Sequence, residues 1–227
     1  ERWSYHVLRW FHNGAARTMV ATPSLETDLK SRGFTAPMAR WSRGVDLDLF
    51  RPATTKPQAI ERPVLLYVGR VSTEKGLDDF LRLDRPGTKV VVGDGPAREE
   101  LAARYPAARF LGYRKGAALA AEYAAADLFV FPSRTDTFGI VMIEAMACGL
   151  PVAAYPVTGP IDIVTRPELG ALDKDLGRAI HRALASGVPA ECAIEARRYT
   201  WENSTRQFLT NLVPVDPCVP GRSFGPE

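Results

Sequence analysis

Two cations, Arg70 and Lys75, follow an unbroken apolar run, Val64–Val68, with Gly69 directly before them and Gly76 directly after. A guanidinium grips a phosphate through two parallel hydrogen bonds, and an ammonium supplies a compact charge. A glycine at a strand end lets another group come close to the backbone. Taken alone, the same residues also fit a solvated loop with surface charges. The second stretch with chemical content is residues 132–151. Gly139 opens a helical pattern in which Ile140, Val141, Met142, Ile143, Ala145, Met146 and Ala147 are apolar on every side, which marks a buried helix. The free amides of Gly139, Ile140 and Val141 form an anion site at its start. Glu144 falls inside that apolar surface. A carboxylate there requires a partner, either a structural Arg or Lys or a ligand hydroxyl. Asp136 lies just before the helix, where an acid serves as a cap or faces a ligand. Cations from one loop and a helix N-terminus from another can enclose a diphosphate. Two carboxylates beside them can accept hydrogen bonds from sugar hydroxyls.

The elements that would position these residues are legible as strands alternating with helices. Val64–Val68, residues 89–92, 109–111, 128–131 and 151–154 read as buried strands. Residues 73–83, 96–104, 117–126 and 140–148 read as the helices between them. This alternation predicts an α/β domain: a Rossmann-like parallel sheet with helices on both faces. Ligands of such a sheet bind beyond the carboxyl ends of its strands. Gly93-Asp94-Gly95-Pro96 also lies at a strand end, but Arg98 stands where the third glycine of a dinucleotide fingerprint would fall. A tight turn with Pro96 at the first helical position is the simpler reading there. Upstream, residues 3–16 place Trp3, Val7, Leu8 and Phe11 on one helical face flanked by Arg2, Arg9 and Arg17. That face either packs on protein or touches a membrane surface. Strands are expected at 18–22 and 38–41, with a helix between them capped by Ser24 and stopped by Gly33. Residues 51–63 read as a linker. Further helices are expected at 175–185, 190–199 and 201–212. The proline-rich residues 213–227 are expected to be a disordered tail.

Composition excludes several classes. The formal charge is +3, from 29 basic and 26 acidic residues, and no basic stripe with interleaved aromatics points to nucleic acid. Hydrophobic residues make up 46% and charged residues 24%, as in ordinary globular domains. The three cysteines, Cys148, Cys192 and Cys218, show no CxxC spacing and read as reduced cytosolic thiols. No apolar run approaches the roughly 20 residues that cross a bilayer, and no signal peptide is visible. The chain begins at Glu1 and runs directly into a helical pattern, as a piece of a longer protein would.

The blocks just described resemble the retaining GT-B glycosyltransferases known as family 4. The most specific block is Thr135-Asp136-Thr137-Phe138-Gly139, then Glu144-Ala145-Met146-Ala147-Cys148-Gly149-Leu150-Pro151-Val152. Supporting blocks are Val68-Gly69-Arg70 with Glu74-Lys75-Gly76, Val92-Gly93-Asp94-Gly95-Pro96, Phe110-Leu111-Gly112-Tyr113, and Gly44-Val45-Asp46 with Phe50-Arg51-Pro52. The family has two glutamates in the first block, and this chain has Asp136 at the earlier position. It also carries Val157-Thr158-Gly159-Pro160-Ile161-Asp162 where many members have Gly-Gly-x-Pro-Glu.

The resemblance implies transfer of a hexosyl group from a UDP- or GDP-sugar, with retention, to a sugar or lipid acceptor. It implies that Arg70 and Lys75 bind the donor diphosphate, that Glu144 holds the ribose, and that Asp136 faces the sugar. Gly69, Gly93, Gly95, Tyr113, Thr137, Phe138, Gly139, Ile140, Val141 and Met142 would line the rest of the donor site. No metal or separate cofactor is implied. Residues 59–212 would form the nucleotide-sugar-binding domain and residues 1–58 the end of an N-terminal acceptor domain whose remainder is missing. The helix at 201–212 would cross back to that first domain. A cytoplasmic location follows, at the inner face of the membrane if the acceptor is a lipid. The other readings of the same residues are a non-catalytic nucleotide-sugar-binding module, a GT-B nucleotide-sugar epimerase, and a purely structural domain in which Glu144 pairs internally.

Overall fold

The computed structural model describes residues 2–54, 60–136 and 138–214. The elements are, in chain order, α1 (Arg2–Asn13), β1 (Thr18–Val20), α2 (Pro23–Ser31), β2 (Met38–Arg40), β3 (Val64–Val68), α3 (Leu77–Leu81), β4 (Thr88–Val92), α4 (Arg98–Arg104), β5 (Arg109–Gly112), α5 (Gly116–Ala125), β6 (Leu128–Phe131), α6 (Ile140–Ala147), β7 (Val152–Ala154), α7 (Pro160–Ile163), β8 (Gly170–Leu172), α8 (Leu176–Ser186), α9 (Pro189–Ala196) and α10 (Trp201–Asn211).

Among the described residues β3–β8 form one parallel sheet in the order β5-β4-β3-β6-β7-β8. That is the doubly wound order, with its reversal between β3 and β6. The apolar runs are explained by burial on both faces. Along β3, Val64, Leu66 and Val68 enter one core with α5, α6 and α9. Leu65 and Tyr67 point the other way, into a core with α3, α4 and α8. Full burial of each such aliphatic side chain contributes about 1.5–3 kcal/mol, so an alternating polar pattern would be penalised here.

The short strands β1 and β2 pair in parallel as a separate two-stranded sheet. Helix α10 returns to it: Trp41 packs on Phe208 with ring centroids 5.1 Å apart, and the Ser204 hydroxyl donates to the Ser42 carbonyl at 2.9 Å. Val45 pairs with Thr200, and Val45 and Phe50 enter the core of the large sheet. On α1, Leu8, Trp10 and Phe11 are exposed. The Trp3 side chain lies outside the described part. No helix of the described residues is long and apolar enough to cross a membrane.

Several local expectations are corrected. The helix expected over 73–83 is a 3-10 turn, Thr73–Lys75, followed by α3, because Gly76 takes a left-handed φ of 67° between them. Thr22, not Ser24, caps α2, accepting from the Leu25 amide at 3.2 Å. Ser24 donates instead to the Asp162 carboxylate. Pro96 precedes α4 rather than opening it, since Ala97 is the cap. Helix α9 stops at Ala196, short of the expected 199. The sixth strand of the sheet, β8, and α7 were not expected. Most of the expected tail, from residue 215 onward, lies outside the described residues, as do Thr137 and Cys218.

Candidate functional site

At the reversal between β3 and β6 the crossovers diverge to opposite faces, leaving a crevice beyond the strand ends. The floor of that crevice is backbone. Gly69 and Gly93, at the ends of β3 and β4, lie so close that a Cβ on Gly93 would sit 1.8 Å from the Gly69 carbonyl oxygen. The Gly69 amide donates to Val92 (3.0 Å) and the Gly93 amide to Gly112 (2.9 Å). A side chain at Gly93 would overlap the Gly69 carbonyl, and one at Gly69 would meet the Tyr67 hydroxyl at 2.7 Å.

A cleft follows this floor in two adjoining parts that share Val68, Gly69, Arg70 and Val141. The first, about 650 Å³, lies between the Arg70–Lys75 loop and the start of α6, and Asp136, Phe138, Gly139 and Ile140 also line it. The second, about 550 Å³, runs over the ends of β4 and β5, past Gly93, Tyr113 and Glu144. Sequence reasoning thus places both cations and the helix start on one cavity, as a diphosphate would require.

Gly139 caps α6 with φ 78°, and a Cβ there would meet Met142 Cε at 2.5 Å. The helix therefore starts directly at the cleft wall. The first amides of a helix have no intrahelical acceptor, and Ile140 and Val141, the first residues of α6, line the cavity. The Met142 amide, expected at the phosphate, instead donates to the Gly139 carbonyl at 2.9 Å, and its side chain is fully buried. Gly95 does not line either part of the cleft. It packs on the loop backbone, where a Cβ would fall 2.3 Å from the Val71 carbonyl. The Phe138 ring points into the core against Tyr199, at 6.1 Å. Thr137 lies outside the described residues.

Charge in the cleft is partly paired. Lys75 Nζ bonds both oxygens of Asp136, at 2.7 and 2.8 Å. Asp136 is therefore an ion-pair partner and not the helix cap, which is Gly139. Arg70 is exposed, and no salt bridge engages its guanidinium among the described residues. The Ser72 hydroxyl donates to Glu74 at 2.6 Å and holds that carboxyl below its usual range. Burial, together with the carboxylates of Asp136 and Glu74, pushes the Tyr67 phenol well up, so it stays protonated and donates to the Arg70 carbonyl at 2.8 Å. Glu144 finds a partner of neither expected kind: the Tyr123 hydroxyl donates to its Oε2 at 2.8 Å. Burial raises the proton affinity of Glu144, and this hydrogen bond opposes the rise.

Several lining residues carried no assigned role, among them Arg43, Phe50, Arg114 and Lys115. Arg43 lines the first part of the cleft, 4.9 Å over the Trp41 ring. It arrives there because Gly44 is pressed against Trp201 and Val45 pairs with Thr200, contacts with no local signal. Phe50 walls the second part. Arg114 and Lys115, beside Tyr113, follow β5, and the strand-end rule would have found them. Among the described residues no three His, Cys, Asp or Glu side chains gather as a metal cage.

A model of the family Glycosyl transferases group 1 matches residues 62–186. A GDP-mannose-dependent alpha-mannosyltransferase of Mycobacterium tuberculosis is 35% identical over 217 residues, covering 91% of this chain and 56% of the relative. Sulfoquinovosyl transferase SQD2 of Arabidopsis thaliana is 33% identical over 183 residues, covering 74% of this chain and 36% of the relative. Sucrose-phosphate synthase from Thermosynechococcus elongatus superposes with a TM-score of 0.78 at 27% identity, over 92% of this chain and 61% of that one. Anabaena HepE in complex with UDP and glucose superposes with a TM-score of 0.75 at 22% identity, over 93% and 68%, and shares the fold. The expected Rossmann-like half of a GT-B protein is thereby borne out. The chain spans between 36% and 56% of the length of these two curated relatives.

Proposed function

The chain belongs to the group 1 glycosyl transferases, and on that premise we propose that its cleft holds the nucleoside diphosphate of a sugar donor for hexosyl transfer with retained configuration. The observation that carries the reading is the single cavity bounded by Arg70, Lys75 and the amide end of α6. As the bond between the anomeric carbon and the β-phosphate oxygen breaks, negative charge grows on the leaving diphosphate. Fixed cations and helix amides aimed at that charge stabilise it without reorganising. Asp136, released from Lys75 by the phosphates, takes the sugar hydroxyls, and the part of the cleft past Glu144 and Tyr113 takes the nucleoside.

The acceptor, a sugar or a lipid, would enter from the side of Arg43, between the large sheet and residues 1–58. Because the chain spans about half the length of the mannosyltransferase relative, the remaining acceptor contacts would come from outside these 227 residues. By itself the chain would then bind donor with little turnover. We place the whole enzyme on the cytoplasmic side, with the exposed Trp10 and Phe11 face of α1 covered by protein or at the membrane surface. The name of the mannosyltransferase relative makes GDP-mannose the first donor to try. The test is calorimetric titration with UDP, GDP, ADP and their sugar conjugates. Saturable binding of one nucleoside diphosphate supports the reading, and binding of none overturns it.

A further inference from the structure

Tyr123, on α5, is fully buried. Its ring packs edge-on against Phe50, with centroids 5.6 Å apart at 84°, and tilted at 44° against Phe129 at 5.8 Å. A buried phenol hydroxyl needs an acceptor, and Glu144 Oε2 provides one at 2.8 Å. Glu144 lines the nucleoside part of the cleft, and so does Phe50. A long carboxylate side chain loses rotamer freedom when it must hold one geometry, and a partner that has already fixed it removes that cost from ligand binding.

We propose that Tyr123 is a positioning residue for ribose recognition: its hydroxyl anchors one oxygen of Glu144 and presents the other, Oε1, to the ribose hydroxyls of the nucleotide. The inference rests on the reading of the cleft as a nucleoside-diphosphate site. Phe50 completes the device, since one ring both walls the nucleoside space and clamps the anchor. Among the described residues the Tyr123 hydroxyl is the one hydrogen-bond partner of the Glu144 side chain.

The test uses the full chain and Tyr123→Phe, which keeps the ring and its packing and removes the hydroxyl. UDP, GDP and their 2′-deoxy counterparts are titrated into both proteins, with thermal unfolding as the check that the variant is folded. The variant is expected to lose about tenfold in affinity for the ribonucleotide that binds, and less than about twofold for its 2′-deoxy form. In a Glu144→Ala background, which removes the acceptor, the same substitution should change neither affinity by more than about twofold. Equal losses for ribo and deoxy ligands, or an undiminished effect in the Glu144→Ala background, would overturn the proposal while leaving the nucleotide site intact. Failure of the unsubstituted chain to bind any of these nucleotides removes the reading beneath it, and the proposal with it.

Discussion

Lys75 Nζ stands 2.7 Å from Asp136 Oδ1 and 2.8 Å from Oδ2, so the ammonium proposed for the diphosphate is already neutralised by the carboxylate proposed for the sugar. Both side chains are about a quarter exposed. Surface pairs are worth about 0–1 kcal/mol, and phosphate oxygens entering the cleft would compete with Asp136 for this ammonium.

The first prediction is that removing the acid strengthens phosphate binding. In Asp136→Asn, Lys75 no longer has to leave a counter-ion, and affinity for UDP or GDP should rise by up to about fivefold at low salt. The gain should shrink as salt screens the site. Sugar transfer by the whole enzyme should fall at the same time. Titration at two ionic strengths measures the first effect, and weaker nucleotide binding in the variant would count against this competition.

Arg70 and Lys75 should fail differently. Losing one charge-assisted hydrogen bond costs about 1.5–3 kcal/mol, so Arg70→Ala should lose at least about tenfold in nucleoside diphosphate affinity and nothing for the free nucleoside. Lys75→Ala should lose more, because it also leaves the Asp136 carboxylate unpaired beside the phosphates. The pair Lys75→Ala, Asp136→Asn should therefore bind better than Lys75→Ala alone. Calorimetry on the four proteins decides it: a double variant no better than Lys75→Ala would show that the two side chains do not share the phosphate.

How much of this was legible follows from where each signal lives. The strands β3 and β6 are visible because both faces are buried, which forces continuous apolar runs. Strand β8 is not, since Gly170-Ala171-Leu172 opens on a glycine and has no β-branched or aromatic residue. The anion-site half of the cleft is local in sequence: a loop after β3 and a helix start after β6. Tyr123 was hidden because α5 is otherwise alanine-rich and a lone aromatic on it reads as core, which it also is. Arg43 reaches the cleft through the contact of residues 44–45 with residues 199–201, a distance along the chain that periodicity does not see.

The backbone floor makes a sharp contrast between two glycines. Gly93 has φ 135°, and a Cβ there would overlap the Gly69 carbonyl, a backbone atom that cannot swing aside. Gly93→Ala should destabilise the fold by at least about 3 kcal/mol and abolish nucleotide binding. Gly116 has φ 55° at the start of α5 with nothing within 4 Å of a built Cβ. Gly116→Ala should cost only the left-handed backbone preference, about 1–2 kcal/mol. Denaturant unfolding of the two variants tests the difference, and similar midpoints would mean that the Gly69–Gly93 contact relaxes.

The last prediction concerns Glu144 and pH. Burial raises its proton affinity in the folded state, so the folded protein holds that proton more tightly than the unfolded chain does. Folding is then favoured by this group below the carboxyl value of the unfolded chain, near 4.5, and the contribution is lost as pH rises through the raised folded value. Ionisation of Glu144 in the folded protein therefore costs stability. Glu144→Gln keeps the size and an acceptor for the Tyr123 hydroxyl while removing the charge. Its melting temperature should exceed that of the unsubstituted chain at pH 7, and the difference should close as both are taken down toward pH 4.5. Ribonucleotide affinity should fall at pH 7 in the same variant, separating stability from function at one atom. A variant that melts lower at pH 7 would show that the Glu144 carboxylate is stabilised in place by more than Tyr123.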